Sequence, residues 1–190
     1  MTILETAYDL SDRLRRAMPR RPQQPADHHE DHDLRFSIAA IHYEQGQIGE
    51  AIVDLKAAIA ANPRHPDAHF LLGRIREDQN DLPSAEQEYR QAARLSPERL
   101  NYRLRLGAIL EKRGKTKAAM KEYRTAIAIC PDDAEARFRL GVALDDSGMA
   151  GAAIAEYQEA LLIDPGFEDA AICLDAALKR QKSSIGHGGH

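Results

Sequence analysis

The chain has 190 residues and a formal net charge of -4, which argues against general nucleic-acid binding because phosphate neutralisation needs a basic surface. Its two cysteines, Cys130 and Cys173, form no CxxC pair and predict reduced thiols in a cytoplasmic protein rather than a disulfide framework. No apolar run is long enough to span a bilayer, Glu5, Asp9 and Asp12 break the core a secretion signal would need, and strand signals are absent.

The first predicted element is a helix over residues 1–18. Thr2 and Glu5 have capping-box spacing, and Ile3, Ala7, Leu10, Leu14 and Ala17 form an apolar stripe widened by Leu4, Tyr8 and Met18. Arg13, Arg15 and Arg16 crowd its C-terminal half, where they suit the helix dipole. Residues 19–31, PRRPQQPADHHED, carry three prolines and no period, and read as a linker. The run from His29 to Asp33 resembles the zinc motif HExxH, except that Asp33 stands where the second histidine belongs. His28 and His32 are spaced i, i+4, as two metal ligands on a helix would be. Without a third ligand placed by the fold, the run reads as solvated linker.

From residue 32 onward the sequence is periodic. Pro63, Pro97, Pro131 and Pro165 recur every 34 residues. Ala51, Ala85, Ala119 and Ala153 keep the same step, as do Ala58, Ala92, Ala126 and Ala160. Leu55, Tyr89, Tyr123 and Tyr157 form another column, and Ala39, Gly73, Gly107 and Gly141 another. A fixed period of this length predicts stacked units, each too thin to bury its apolar face alone.

Each unit reads as a helix, a tight turn, a second helix and a proline-containing loop. In the third unit, Tyr102, Leu106, Ile109 and Leu110 place one helix over about 101–113, and Ala119, Tyr123 and Ala126 place the next over about 116–129. Gly46, Asn80, Gly114 and Gly148 stand where a left-handed residue should end the first helix. The units span 32–65, 66–99, 100–133 and 134–167. Residues 168–182 begin a fifth and stop, with Ala171, Leu174, Ala177 and Leu178 expected to pack inward as a capping helix. Residues 183–190 read as a disordered tail. Gly114, Lys115 and Thr116 look like the end of a phosphate-binding loop, but Ile109 occupies the place of its first glycine and no strand precedes it.

These columns resemble the tetratricopeptide repeat (TPR) family over residues 32–167. The small residue at repeat position 8, alanine at 20 and 27, a large residue at 24 and proline at 32 match; the early tryptophan at position 4 is replaced by Arg35, His69, Arg103 and Arg137. The resemblance implies an all-α, right-handed solenoid of antiparallel helix pairs, whose first helices line a concave groove that binds partner peptides. Carried over position by position, it makes Phe36, Tyr43, Phe70, Leu71, Arg74, Leu104, Arg105, Phe138 and Arg139 the candidate groove residues, with Ile172 continuing the apolar ladder into the cap. The lysines and asparagines of the two-carboxylate clamp that holds chaperone tails are missing.

The expected function is therefore a non-enzymatic scaffold for a protein or peptide partner, amphipathic and basic, with no cofactor, metal or nucleic acid. Two alternatives stand beside it: a self-assembling module that builds an oligomeric platform, and a membrane-associated adaptor anchored by the basic first helix. That helix has two expected places. One is the groove of its own or a neighbouring chain; the other is the open edge of the first repeat, as an N-terminal cap.

Overall fold

The computed structural model describes residues 28–186, with side chains over 32–183. The expectations for residues 1–18, 19–27 and 187–190 lie outside the described residues. Within them the chain is all helix and turn: α1 His28–Glu44, α2 Ile48–Ala61, α3 Pro66–Asp78, α4 Leu82–Leu95, α5 Leu100–Lys112, α6 Thr116–Ile129, α7 Ala134–Asp146, α8 Ala150–Ile163 and α9 Glu168–Gly186. Helices pack in pairs, α1 with α2 through α7 with α8, and each second helix packs on the first helix of the next pair. None of the described helices is long and apolar enough to cross a membrane.

Two boundaries differ from expectation. α1 starts at His28, so residues 28–31 are its first turn rather than linker. The acids that made this stretch read as solvated linker, Glu30, Asp31 and Asp33, are also what a helix N-terminus favours. α9 runs to Gly186, beyond the expected end at 182, and Ser183 Oγ donates to the Lys179 carbonyl at 3.0 Å within it.

The punctuation works as the residue types demand. Gly46, Asn80, Gly114 and Gly148 have φ of 75°, 59°, 70° and 76°, and the residue after each closes the turn back onto the helix, as from Lys115 N–H to the Leu110 carbonyl at 2.8 Å. Asn62, Ser96, Cys130 and Asp164, each just before a repeat proline, are pushed toward extended geometry with φ from -136° to -126°. So each unit turns back at the same point.

The core depends on one contact repeated three times. A Cβ added to Gly73, Gly107 or Gly141 would lie 2.8, 2.4 or 2.6 Å from the ring of Tyr89, Tyr123 or Tyr157, all three of which are fully buried. Glycine is needed there because the tyrosine ring fills the space a methyl would take. In the first repeat the partner is Leu55, and alanine is tolerated at position 39.

The missing tryptophan column has a polar replacement. His69 Nδ1 meets Glu88 at 2.6 Å, Arg103 donates to Glu122 at 2.8 Å and Arg137 donates to Glu156 at 3.3 Å, each tying the first helix of a pair to the second. His69 and Arg137 also reach the carbonyls of Pro63 and Pro131 at 3.2 Å. These partners hold the His69 imidazole above its usual pKa, the Glu88 hydrogen bond outweighing burial.

The inward face of α9 differs from expectation at one residue, Ala171, while Leu174, Ala177 and Leu178 pack inward. Ala170 and Ala177 are fully buried, with Phe167, Cys173, Leu174 and Leu178 packed beside them, whereas Ala171 is exposed. Lys115, in the turn that mimicked a phosphate loop, has a structural explanation. Lys115 Nζ donates to Glu86 at 2.8 and 3.0 Å. Glu86 is only 2% exposed, in a column otherwise held by Ile52, Met120 and Ile154, and it also accepts from Arg90 at 2.5 Å and from Arg113. Burial pushes its carboxyl up, but the hydrogen bonds from Lys115 and Arg90 and the nearby cations outweigh that and hold it below the usual range.

Two outcomes are expected for stability. Gly107→Ala should destabilise by about 3 kcal/mol through overpacking, more than the roughly 1 kcal/mol alanine gains in helix propensity. In a Tyr123→Leu background the same substitution should instead stabilise, as Ala39 with Leu55 implies. Urea unfolding of the four proteins reads the sign change, and additive effects would refute the pairing. Glu86→Gln should lose about 2 kcal/mol at neutral pH by replacing charge-assisted hydrogen bonds. Because the folded pKa is depressed, this contribution is present above the unfolded carboxyl value of about 4.3 and fades as pH falls through the folded one. Unfolding curves of wild type and variant should therefore converge in acid.

Candidate functional site

The first helices of the repeats present two depressions. The one between α1 and α3 has a volume of ≈ 300 Å³ and is lined by Phe36, Ala40, Tyr43 and Glu44 on one side and Asp67, Phe70, Leu71 and Arg74 on the other. The one between α5 and α7 has a volume of ≈ 240 Å³, with Asn101, Leu104, Arg105 and Ala108 facing Glu135 and Arg139. Of the nine expected groove residues, only Phe138 lines neither depression.

The apolar ladder is less open than expected. Phe138 is 9% exposed, with its ring 4.9 Å from Phe167 and 6.0 Å from Tyr157. Phe70 lies 4.8 Å from Tyr102 of the next repeat and 5.4 Å from Tyr89, and Phe36 lies 4.8 Å from His65. The contact of Phe70 with Tyr102 joins adjacent repeats, the others lie within one repeat, and all leave only part of the ring surface on the floor. Ile172 in α9 is the reverse case, 67% exposed and lining neither depression. The reason is physical: an aromatic side chain one turn before the core glycine gains more by packing on neighbouring rings than by standing in water.

The polar groups form a linked rim. The Arg74 guanidinium lies 5.1 Å over the Tyr43 ring and donates to its hydroxyl at 3.4 Å, and that hydroxyl donates to Asp78 at 2.8 Å. Burial and the Asp78 bond push the Tyr43 hydroxyl above its usual pKa, against the pull of Arg74. Tyr102 donates to Asp67 at 2.5 Å, across repeats. Tyr89 and Tyr123, the rings that press on the glycines, extend their hydroxyls to Glu77 at 2.9 Å and Glu111 at 2.5 Å. Burial and those carboxylates drive both phenol pKa values well up, so the tyrosines remain donors.

The two carboxylates differ in charge environment. Burial would raise Glu77, but Lys112 at 2.6 Å, Tyr89 and the charge of Arg105 hold it low. Burial wins at Glu111, which lies above its usual value despite Tyr123 and Arg139. Arg139 donates to Glu135 at 2.6 Å. The first depression thus has one arginine against two carboxylates, Glu44 and Asp67, while the second has Arg105 and Arg139 against Glu135. The spacing of the tyrosine and acid columns was visible in the sequence; the opposite sign of the two depressions emerges only when the lining residues are sorted by place.

Comparison with curated proteins finds no match. Models for the tetratricopeptide repeat match residues 36–99 and 134–167, and one for the TPR repeat matches 112–148. Among solved structures, a MamA protein is similar at 23% identity with a TM-score of 0.75, over 80% of this chain and 84% of that one. YrrB, described as a TPR protein with an unusual peptide-binding site, is similar at 21% identity and 0.70, over 78% and 76%. PilF of Pseudomonas aeruginosa is similar at 18% and 0.70, over 83% and 72%. At these identities the likeness is one of fold. With family models covering more than half of its length, and helix pairs repeating in the register those models describe, the chain belongs to the tetratricopeptide repeat family.

Proposed function

We propose that the chain is a non-enzymatic cytoplasmic scaffold that binds a peptide or helix of a partner protein along the face formed by α1, α3, α5 and α7. The observation that carries this reading is the pair of depressions on that face, lined by eight of the nine residues the family pattern nominates and opposite in charge balance. The partner segment that fits is amphipathic and polar along its length. Its apolar and basic part suits Phe36, Phe70, Leu71, Glu44 and Asp67, and an acidic residue further along suits Arg105 and Arg139. A purely basic segment suits the first depression and not the second. YrrB, by its description a peptide-binding TPR protein, supports the reading by analogy of fold.

Arginines that are exposed and only partly paired are the readiest to bind. Arg105→Glu with Arg139→Glu should leave the melting temperature close to wild type. It should weaken a partner recovered by wild-type pulldown by tenfold or more, about 1.4 kcal/mol. Added salt should narrow the difference. A partner held equally well by wild type and the double variant would place binding on another face.

A further inference from the structure

We propose that His32, Asp33 and His65 form a binding site for a divalent transition-metal ion of the zinc class, where α1 meets the start of α3. The sequence offered two histidines at helical spacing and no third ligand. The fold supplies one: His65, in the loop before α3, lies with its ring 5.6 Å from that of His32. One ligand atom each from His32, Asp33 and His65 lie within 4.8 Å of one another. His32 Nδ1 is 3.0 Å and His65 Nε2 3.3 Å from the same Asp33 oxygen. A tetrahedral zinc ion with bonds near 2.0–2.1 Å sets its ligand atoms roughly 3.3 Å apart, so two of the three edges already have the required length. Imidazole with carboxylate is a donor set that suits zinc, nickel and copper.

The setting is unusual within the array. His32 stands where other repeats have Pro66, Leu100 and Ala134, and His65 where they have Arg99, Asp133 and Phe167. Both imidazoles are buried while Asp33 is largely exposed, giving a dry inner wall and an outer side open to a water ligand. His65 Nε2 is buried and makes no hydrogen bond. His28 stands one turn before His32 in α1.

Binding has a structural signature. His65 Nδ1 accepts the Ala68 N–H at 3.2 Å as the N-cap of α3. In that neutral tautomer the ring proton is on Nε2. A metal ion taking Nε2 requires the proton on Nδ1, so the Ala68 amide loses its acceptor. Binding thus exchanges a cap hydrogen bond for a metal bond, and the Ala68 amide resonance reports it.

The test uses the full chain with His187→Ala and His190→Ala, which removes the tail histidines, titrated with Zn²⁺ alone after chelator treatment. One ion per chain is expected, with a Kd in the micromolar range and a shift of the Ala68 amide. His65→Asn keeps a good N-cap acceptor but removes the imidazole, and should weaken binding at least tenfold. His32→Gln should do the same. Absence of zinc binding, unchanged affinity in both variants, or a bound ion that leaves the Ala68 amide unmoved would overturn the site.

A separate observation carries a second inference. Repeat positions 3, 7 and 10 are buried in the internal repeats, as Ala68, Leu72 and Ile75, and as Tyr102, Leu106 and Ile109. Their equivalents in α1, Leu34, Ile38 and Ile41, are 60%, 37% and 52% exposed. This is the face that each repeat lays against the one before it, and no described repeat precedes α1. We infer that residues 1–18 cover it, as an amphipathic helix whose Ile3, Ala7, Leu10 and Leu14 stripe meets Leu34, Ile38 and Ile41. Residues 19–27 reach about 30 Å when extended, ample for a return to the adjacent helix. In the full chain, Leu10→Asp with Leu14→Asp should lower the melting temperature by several degrees, Ile38→Glu should do likewise, and the combination should cost less than the sum. Additive losses, or a concentration-dependent dimer that Ile38→Glu abolishes and the Leu10/Leu14 pair leaves intact, would overturn the cap; the dimer would assign the face to a second copy of the chain.

Discussion

Everything in this array rests on the close approach of two helices at a glycine covered by a tyrosine ring. A helix pair of this length cannot bury an apolar face by itself, so the spacing within a pair must be uniform for the pairs to stack. Gly73, Gly107 and Gly141 set that spacing, and Tyr89, Tyr123 and Tyr157 occupy what it leaves. The first repeat keeps the spacing with a different division of volume between Ala39 and Leu55. What is maintained is therefore the combined volume at the contact, more than either residue.

The same tyrosines link core to surface. Their rings are fully buried, while the hydroxyls of Tyr89 and Tyr123 emerge to fix Glu77 and Glu111 beside the groove arginines. Contacts between neighbouring repeats then couple the rim lengthwise: Tyr43 to Asp78, Tyr102 to Asp67, Lys112 to Glu77 and Arg180 to Asp145. Exposed pairs of this kind add little stability each. Their consequence is orientation, since each of these carboxylates is held by a donor from an adjacent repeat. A segment docking on this face would meet charges already placed, which lowers the entropy lost on binding.

The fold was legible because its determinants are periodic. Pro63 and its equivalents, the left-handed residues led by Gly46, and the small residues at Ala51 and Ala58 each repeat four times, and repetition separates signal from accident. α6 occupies the predicted residues 116–129. The candidate groove was legible only as a set of positions. Phe138 and Phe36 occupy the same repeat position, yet one is packed away and the other lines a depression. The difference lies in the residue that the end of each unit brings back against it, Phe167 in one case and His65 in the other. The burial of Ala170 in place of Ala171 was legible in the columns, since Ala170, Leu174 and Ala177 continue the 34-residue step of Ala136, Leu140 and Ala143. The ion pairs of Arg103 and Arg137 could have been found, since their carboxylate partners Glu122 and Glu156 keep the 34-residue step.

Residues that break a column carry the information that the columns cannot. A periodic apolar position filled by a charge needs compensation. Glu86 shows the structural form of it, a buried acid satisfied by Arg90, Arg113 and Lys115 from its own and the next repeat. Removing any one cation would leave the others, so that cluster is closed on itself. His65 stands in a column of no fixed type, beside Arg99, Asp133 and Phe167, and is compensated less completely: one ring nitrogen caps α3 and the other is buried without a hydrogen bond. Arg105 and Arg139 break no apolar column and remain exposed, with Glu135 as the direct carboxylate partner of Arg139. Ordered this way, the departures run from self-satisfied to open, and polar capacity that the fold does not use lies at the second depression and at the first edge of the array.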